Sequence, residues 1–200
     1  MCKLFLLQCP MGFIKELIKA RNTGQTVFSF ADLNGIVQDY SGAKLRSALK
    51  YAVKMGDLFR ISRGIYAISK DYSRQEFANK YRTPSYVSLY TVLQETGVVF
   101  QPYSSIYLAA NRTQEMEIDS QKYIYRKIKA EILLNPLGMV NINQVQKSVK
   151  ERAVCDKLYL DGDEYFDNLR EMDWELMRKL NEEVYGRNTV ISSFIVKNCV

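Results

Sequence analysis

Residues 41–66 read SGAKLRSALKYAVKMGDLFRISRGIY. Within residues 43–55 the apolar side chains recur at the spacing of one helix face, and the glycine that follows is a helix stop. Residues 58–68 form two β-prone runs around an Arg-Gly pair, which is typical of a hairpin whose glycine takes a positive φ. The stretch therefore predicts a helix followed directly by a β-hairpin.

Two shorter helices are predicted upstream of this stretch. Residues 12–21 carry a single apolar stripe that ends at Asn-Thr-Gly. Ser29 begins the second helix, because its spacing to Asp32 is that of a capping box. Turn-forming residues at 39–42 separate this helix from the longer one. Three helices with a tight turn and a following hairpin form a winged helix-turn-helix, and we predict this fold for residues 1–70.

The outer face of the 43–55 helix is rich in cations. Residues 1–70 hold 11 Lys or Arg against 4 Asp or Glu. Basic residues on the second helix of a helix-turn-helix are typical of insertion into the major groove of DNA. We predict that Lys44, Ser47 and Tyr51 reach base edges there.

Other side chains around this helix are expected to meet phosphates, which supply affinity without sequence information. Arg46, Lys50 and Lys54 are the candidates on the helix. Arg63 at the hairpin tip is suited to a minor groove, where negative potential favours arginine. The complete set of predicted DNA-binding residues is Ser41, Lys44, Arg46, Ser47, Lys50, Tyr51, Lys54, Arg60 and Arg63.

The rest of the chain predicts a linker and a second domain. Residues 71–84 are polar and run into a Thr-Pro pair that disfavours helix, so they predict the linker, with room for one helical turn around Phe77 and Ala78. We expect the domain at 85–200 to be α+β, with a small, mainly antiparallel sheet and helices on one side. Its periodicity predicts helices at 86–96, 144–160 and 174–184, and strands at 104–110, 116–119, 123–129, 131–134 and 139–142.

One predicted strand of this domain alternates aromatic and cationic residues. Tyr123, Tyr125, Lys127 and Lys129 would share one of its faces. Such a face suits nucleic-acid bases and backbone, or an acidic protein partner. The alternative is an ordinary exposed sheet face with no ligand.

The composition argues against an enzyme. Histidine is absent, which excludes Ser-His-Asp and Cys-His sites and every zinc site that needs histidine. The four cysteines form no C-x-x-C pair, and the sequence has no glycine-rich phosphate loop. Carboxylates at 161–167 are an alternative metal site, but they lack the EF-hand order. We therefore expect no catalytic residue, no metal and no cofactor.

Hydropathy predicts neither a membrane span nor a secretory signal. The apolar runs fall far short of the ~20 residues that a bilayer needs. The first residues, MCKLFLLQ, lack a signal-peptide core followed by a small-residue cleavage site. We expect a cytoplasmic protein.

Three blocks of sequence, in this order and spacing, carry a family resemblance. The first comprises residues 27–33, the helix after Ser41, and residues 54–58 and 63–66. The second comprises residues 84–90 and 95–98, and the third is the segment 150–160, which contains Glu-Arg-Ala and a following Asp. Together they resemble the AbiEi-type antitoxins of type IV toxin–antitoxin, or abortive-infection, systems.

The resemblance implies a transcriptional autorepressor that also acts as an antitoxin in phage defence. It implies an operator, expected to contain inverted repeats, and a nucleotidyltransferase-like toxin encoded beside this chain. A homodimer on the DNA is left open, as is the way in which the toxin is neutralised. The alternative function is that of a protein–protein adaptor whose winged helix does not bind DNA.

Overall fold

A computed structural model describes residues 18–19, 24–37 and 42–199 of this chain. The chain divides into two compact units, the first ending at Ser73 and the second beginning at Arg74. Both units combine helices with strands, so the predicted α+β class is confirmed. Residues 18 and 19 are helical, but the rest of the helix predicted at 12–21 lies outside the described residues, as does Ser41.

Besides the helical residues 18 and 19, the described part of the first unit contains two helices and a three-stranded antiparallel sheet. The strand order is β1-β3-β2, so the predicted hairpin forms and a strand that was not predicted adds to it. The elements in chain order are β1 (Val27–Ser29), α1 (Phe30–Ile36), α2 (Gly42–Met55), β2 (Phe59–Ser62) and β3 (Ile65–Ala67).

Local sequence signals fix the ends of these elements. Ser29 caps α1 through the expected box: its hydroxyl accepts from the Asp32 amide at 3.1 Å, and the Asp32 carboxylate accepts from the Ser29 amide at 2.8 Å. Gly64 takes a φ of 78° at the hairpin turn, which a larger residue rarely adopts. Both helices and the hairpin then share one apolar core of Phe28, Leu33, Val37, Leu45, Leu49, Ala52 and Leu58.

The second unit is built on a six-stranded sheet in the order β6-β7-β5-β4-β9-β8. Its strands are β4 (Ser85–Val87), β5 (Ile106–Ala110), β6 (Gln114–Ile118), β7 (Gln121–Lys127), β8 (Met139–Ile142) and β9 (Val145–Ser148). Its helices are α3 (Arg74–Tyr81), α4 (Tyr90–Glu95), α5 (Ala130–Leu134), α6 (Lys150–Asp161), α7 (Trp174–Glu183) and α8 (Thr189–Asn198).

The sheet is mainly antiparallel, as predicted, but two of its strand pairs are parallel. The pairs β5–β7 and β4–β9 are parallel, and the other three pairs are antiparallel. Two parallel pairings need crossover connections, which periodicity within single segments does not reveal. The sheet is therefore mixed.

The predicted linker at 71–84 is wrong for most of its length. Residues Arg74–Tyr81 form helix α3 of the second unit, and residues Ser85–Val87 form strand β4. Phe77 and Ala78 are fully buried although the residues around them are polar. The helix is stabilised by tertiary packing of a very short apolar stripe, which a polar average over the segment hides.

Three other predicted elements differ from the structure. The predicted helix at 86–96 begins as β4 and becomes helical only at Tyr90, and the one at 144–160 begins as β9. The predicted strand at 131–134 is instead part of helix α5. In each case a short apolar run fits the period of a strand as well as the period of a helix. Pairing with a neighbouring strand, or the turn that follows, selects the structure that forms. None of the helices in the described part of the chain is long and apolar enough to cross a bilayer.

Helix α6 holds the turn between α5 and β8 through one buried arginine. The Arg152 guanidinium donates hydrogen bonds to the carbonyl oxygens of Ile132 at 2.6 Å and Asn135 at 2.7 Å, and to that of Leu137. Gly138 follows at a φ of 71°, where an added Cβ would lie 3.2 Å from the Arg152 Cβ. Glycine is thus required here both by backbone conformation and by space.

The substitution Gly138→Ala is expected to destabilise the second unit by about 3 kcal/mol. About 1–2 kcal/mol comes from the left-handed backbone, and the rest comes from displacing Arg152. Gly97→Ala is the matched control, because Gly97 has a φ of 68° but open space around it. The control should lower the free energy of unfolding only by the contribution of the left-handed backbone, about 1–2 kcal/mol. The measurement is urea unfolding followed by the fluorescence of Trp174, the single tryptophan of the chain, and equal losses in both variants would contradict the prediction.

Candidate nucleic-acid interface

Helix α2 presents two different polar surfaces to the outside of the first unit. Leu45, Leu49 and Ala52 are buried, and they define its inward face. Since a helix turns by about 100° per residue, Arg46 and Lys50 lie on one flank of that face. The opposite, outward ridge carries Lys44, Ser47, Tyr51 and Lys54, of which all but the half-buried Tyr51 are exposed.

A cleft of about 500 Å³ lies between this flank of α2 and the hairpin. Its cationic lining consists of Arg46 and Lys50 from the helix and Arg60 and Arg63 from the hairpin. These four residues were all predicted to bind DNA, and the fold brings them to one concave surface. The rest of the described lining is Phe30, Leu49, Val53, Gly64 and Tyr66, so none of the described lining residues is acidic.

Backbone contacts fix the hairpin against α1. The amide of Phe30, the first residue of α1, donates to the Gly64 carbonyl oxygen at 2.9 Å. This bond ties the tip of the hairpin to the helix, so the neighbouring Arg63 is held at the rim of the cleft. Arg60 lies directly across the strand pair from Tyr66. The hairpin cations therefore have defined places relative to α1.

Aromatic rings support the cations of the cleft. The Arg46 guanidinium carbon lies 5.8 Å from the centre of the Phe30 ring, within the range of a cation–π contact. The Arg60 Nε donates to the Ser62 carbonyl oxygen at 3.3 Å. Sequence reasoning missed Phe30 and Tyr66 as lining residues. Tyr66 could have been found from the sequence, because placing the hairpin turn sets the strand register that puts Tyr66 opposite Arg60.

The charge of the chain is concentrated in the unit that carries this cleft. Residues 1–73 hold 11 Lys or Arg and 5 Asp or Glu, whereas residues 74–200 hold 17 of each. The net charge of +6 therefore belongs to the first unit. A concave surface with four cations favours an anion that can contact several of them at once, such as a run of phosphates.

The aromatic face predicted on the second unit does not exist. Tyr123 and Tyr125 are completely buried. The Tyr123 ring packs edge-on against Phe77, with 5.3 Å between ring centres, and the Tyr125 hydroxyl donates to the Ala78 carbonyl oxygen at 2.9 Å. Helix α3, which spans most of the predicted linker, thus covers both tyrosines.

The two lysines of that predicted face stay exposed but do not form one with the tyrosines. Lys127 ends strand β7, and Lys129 precedes helix α5. The strand alternation that would align them therefore stops before Lys129. The predicted binding face at Tyr123, Tyr125, Lys127 and Lys129 is wrong for this reason.

A buried polar cluster occupies the centre of the second unit. The Asp156 carboxylate accepts hydrogen bonds from the hydroxyls of Tyr86 at 3.0 Å, Ser88 at 2.7 Å and Tyr185 at 2.7 Å. Burial raises the pKa of the Asp156 carboxyl, and the charge of Arg152 and the three hydroxyl donors oppose that rise. Asp156 and Arg152 are both fully buried, so this cluster has the character of a structural support.

Three of the four carboxylates at 161–167 are engaged by neighbouring side chains or a backbone amide, whereas Asp163 is exposed. Asp161 contacts Arg126 at 2.5 Å and the Lys157 Nζ at 2.7 Å, and Glu164 contacts the same Nζ at 2.6 Å. Burial acts to raise the pKa of Asp161, but hydrogen bonds from Arg126 and Lys157 outweigh it and lower that pKa. Asp167 accepts from the Phe100 amide at 2.7 Å. The carboxylates of Asp161, Glu164 and Asp167 are therefore bound by cations and a backbone amide of the protein itself.

Neither a scan against protein-family models nor a search of the curated proteins finds a match for this chain.

Proposed function

We propose that the first unit is a winged helix that binds duplex DNA. The observation that carries this proposal is the cleft, because it gathers four cations from a helix and a hairpin and is bounded by no carboxylate among its described lining residues. The element order after residue 24 supports it, with a short helix, a longer helix and a hairpin. In this proposal α2 is the recognition helix and the hairpin is the wing.

In this proposal the two surfaces of α2 contact different parts of the DNA. The outward ridge, with Lys44, Ser47 and Tyr51, enters the major groove and reaches base edges. The cleft receives the sugar–phosphate backbone that borders this groove, and Arg46 and Lys50 contact its phosphates. Lys54 lies on the ridge, so it belongs with the groove-facing residues. Ser41 precedes α2 and keeps its place among the predicted contacts.

The regulatory role follows from the family resemblance of the sequence. We propose a transcriptional autorepressor that is the antitoxin of a type IV toxin–antitoxin system, with a nucleotidyltransferase-like toxin as its cognate partner. The operator is DNA upstream of the chain's own gene, with inverted repeats. The protein acts by binding and has no catalytic activity of its own. The polar clusters around Asp156 and Asp161 are consistent with this assignment, since their carboxylates are bound by other groups of the protein.

Binding to the upstream DNA is expected to be tight and strongly dependent on salt. If the four cleft cations each meet a phosphate, the logarithm of the association constant should fall with the logarithm of salt with a slope of about −3 to −4. The measurement is fluorescence anisotropy with a labelled upstream duplex over a series of salt concentrations. A scrambled duplex of equal composition is the control and should bind about a thousandfold more weakly.

Three outcomes would contradict all or part of this proposal. Absence of salt-sensitive binding at micromolar protein would refute the DNA-binding function. Capture of the neighbouring gene product without any DNA binding would instead favour a protein–protein adaptor, whose basic cleft meets an acidic partner. Equal affinity for upstream and scrambled duplexes would contradict a specific operator.

A further inference from the structure

The two edge strands of the six-stranded sheet differ in charge. Strand β6 at one edge carries Glu115 and Glu117, and Glu115 pairs with Lys122 at 2.7 Å. Strand β8 at the other edge has the sequence Met-Val-Asn-Ile, and no residue from 137 to 146 is charged. Among the described strands, β8 pairs with β9 alone.

An unprotected edge strand is a template for another strand. Soluble proteins usually place charges, prolines or bulges on such an edge, because its free amides and carbonyls otherwise pair with a further chain. Strand β6 has two such charges, whereas β8 has neither a charge nor a proline. Ile142 at the end of β8 is 54% exposed, and Asn141 is exposed as well. The apolar and uncharged edge at β8 is therefore open to addition of a strand.

The turn after β8 determines which backbone groups are free. Asn143 and Gln144 form a two-residue connection with φ values of 49° and 66°, as in a type I′ turn. Ile142 and Val145 flank this turn as the closing pair of the ladder. Because hydrogen-bonded and non-hydrogen-bonded pairs alternate along an antiparallel ladder, the amide and carbonyl of Asn141 point away from β9. They are the groups that an added strand would meet.

We propose that β8 pairs with β8 of a second copy of this chain, antiparallel about a two-fold axis at Asn141. In that register the free amide and carbonyl of Asn141 bond to those of Asn141 in the second copy. Val140 lies opposite Ile142 of the second copy, and the converse pair forms by symmetry. Both are apolar pairs on one face of the sheet, a favourable cross-strand combination.

The occupant is a second copy because the edge is complementary to itself. A two-fold interface brings the same patch of both subunits together, so any charge near the axis would meet its own image. Strand β8 avoids this repulsion, whereas β6 would oppose glutamates to glutamates. The joined sheet would have twelve strands, two six-stranded halves meeting at β8. This inference needs only the second unit and does not depend on DNA binding.

The test is analytical ultracentrifugation of the full chain without DNA, from low micromolar to several hundred micromolar protein. The wild type should show a reversible monomer–dimer equilibrium that is weak, because each β8 offers only four residues. Asn141→Lys should weaken dimerisation by about tenfold or more, since two like charges then face each other at the axis. Gln146→Lys is the matched control, because the exposed Gln146 pairs with Asn141 across the hairpin but lies one strand in from the edge.

A mixture of Asn141→Lys and Asn141→Glu proteins provides the decisive second measurement. The mixture should form a heterodimer at least as stable as the wild-type dimer, because the opposed charges at the axis are now opposite in sign. Circular dichroism of each variant verifies that the fold is retained. A wild type that stays monomeric over the whole range would overturn the proposal. Equal effects of Asn141→Lys and Gln146→Lys, or no heterodimer in the mixture, would overturn it as well.

Discussion

Replacing Arg46 and Arg60 together by glutamate is expected to weaken binding to the upstream duplex by at least about a hundredfold. Each substitution removes a cation from the cleft and places a carboxylate where a phosphate would lie. Every 1.4 kcal/mol is a factor of ten in affinity, and like-charge contacts cost several kcal/mol. The slope of the salt dependence should also fall by about two, since two counterion-releasing contacts are lost.

The matched control for this double variant changes two exposed cations elsewhere. Lys70 lies 5.8 Å from the centre of the Phe59 ring, much as Arg46 lies over Phe30, but it does not line the cleft. Arg112 is an exposed cation of the second unit. The variant Lys70→Glu/Arg112→Glu therefore makes the same change in net charge. It should lose less than tenfold in affinity, measured by the same anisotropy titration.

The comparison of the two double variants separates a local contact from a general attraction. If both lose affinity equally, the total charge of the protein governs binding and the cleft has no special role. If neither loses affinity, the cleft does not face the DNA. Thermal unfolding of each variant shows whether the protein is still folded. The contact of Arg46 with the Phe30 ring is worth about 0.5–1 kcal/mol, so its loss should not unfold the first unit.

The elements of the first unit could be predicted because their signals are local. The capping box at Ser29, the stripe of Leu45, Leu49 and Ala52, and the glycine of the hairpin each act within a few residues. Strand β1 was missed because its three residues acquire strand structure only by pairing with β3. The cleft itself could not be predicted, because it depends on how far the helix lies from the hairpin. No local sequence signal sets that distance.

The second unit shows where sequence periodicity fails. Tyr123 and Tyr125 share a strand face with Lys127, which is typical of an exposed face, yet helix α3 covers both tyrosines. The burial of a strand face depends on what packs against it, and here the covering helix has a polar average composition. Arg152 and Asp156 likewise look like surface charges on a helix. Their burial depends on carbonyls and hydroxyls from distant segments, such as Tyr86.

The substitution Asp156→Ala is expected to have the largest effect on stability, lowering the free energy of unfolding of the second unit by about 3–5 kcal/mol. It leaves three buried hydroxyls without their acceptor and leaves the Arg152 charge without its nearby carboxylate. Removing one partner of a buried charged cluster typically costs this much. The measurement is urea unfolding followed by the fluorescence of Trp174, which lies in helix α7 of the same unit.

Two further variants show whether the buried carboxylate, and not any loss of charge, causes this effect. Asp156→Asn keeps the shape and one oxygen acceptor, so it should lose about half as much as the alanine variant. Glu115→Gln removes a carboxylate from an exposed pair with Lys122 and should cost less than about 1 kcal/mol. If Asp156→Ala is no more destabilising than Glu115→Gln, the hydroxyl cluster does not stabilise the unit.

The same variants also distinguish support from chemistry at this cluster. A carboxylate that acts on a substrate must be reached by it, whereas Asp156 is completely buried beneath Tyr86, Ser88 and Tyr185. Asp156→Asn protein that is still folded should therefore bind the upstream duplex with wild-type affinity and salt slope, because the binding cleft lies in the other unit. Loss of DNA binding by folded Asp156→Asn protein would show that the two units are coupled, and that this cluster does more than hold the second one together.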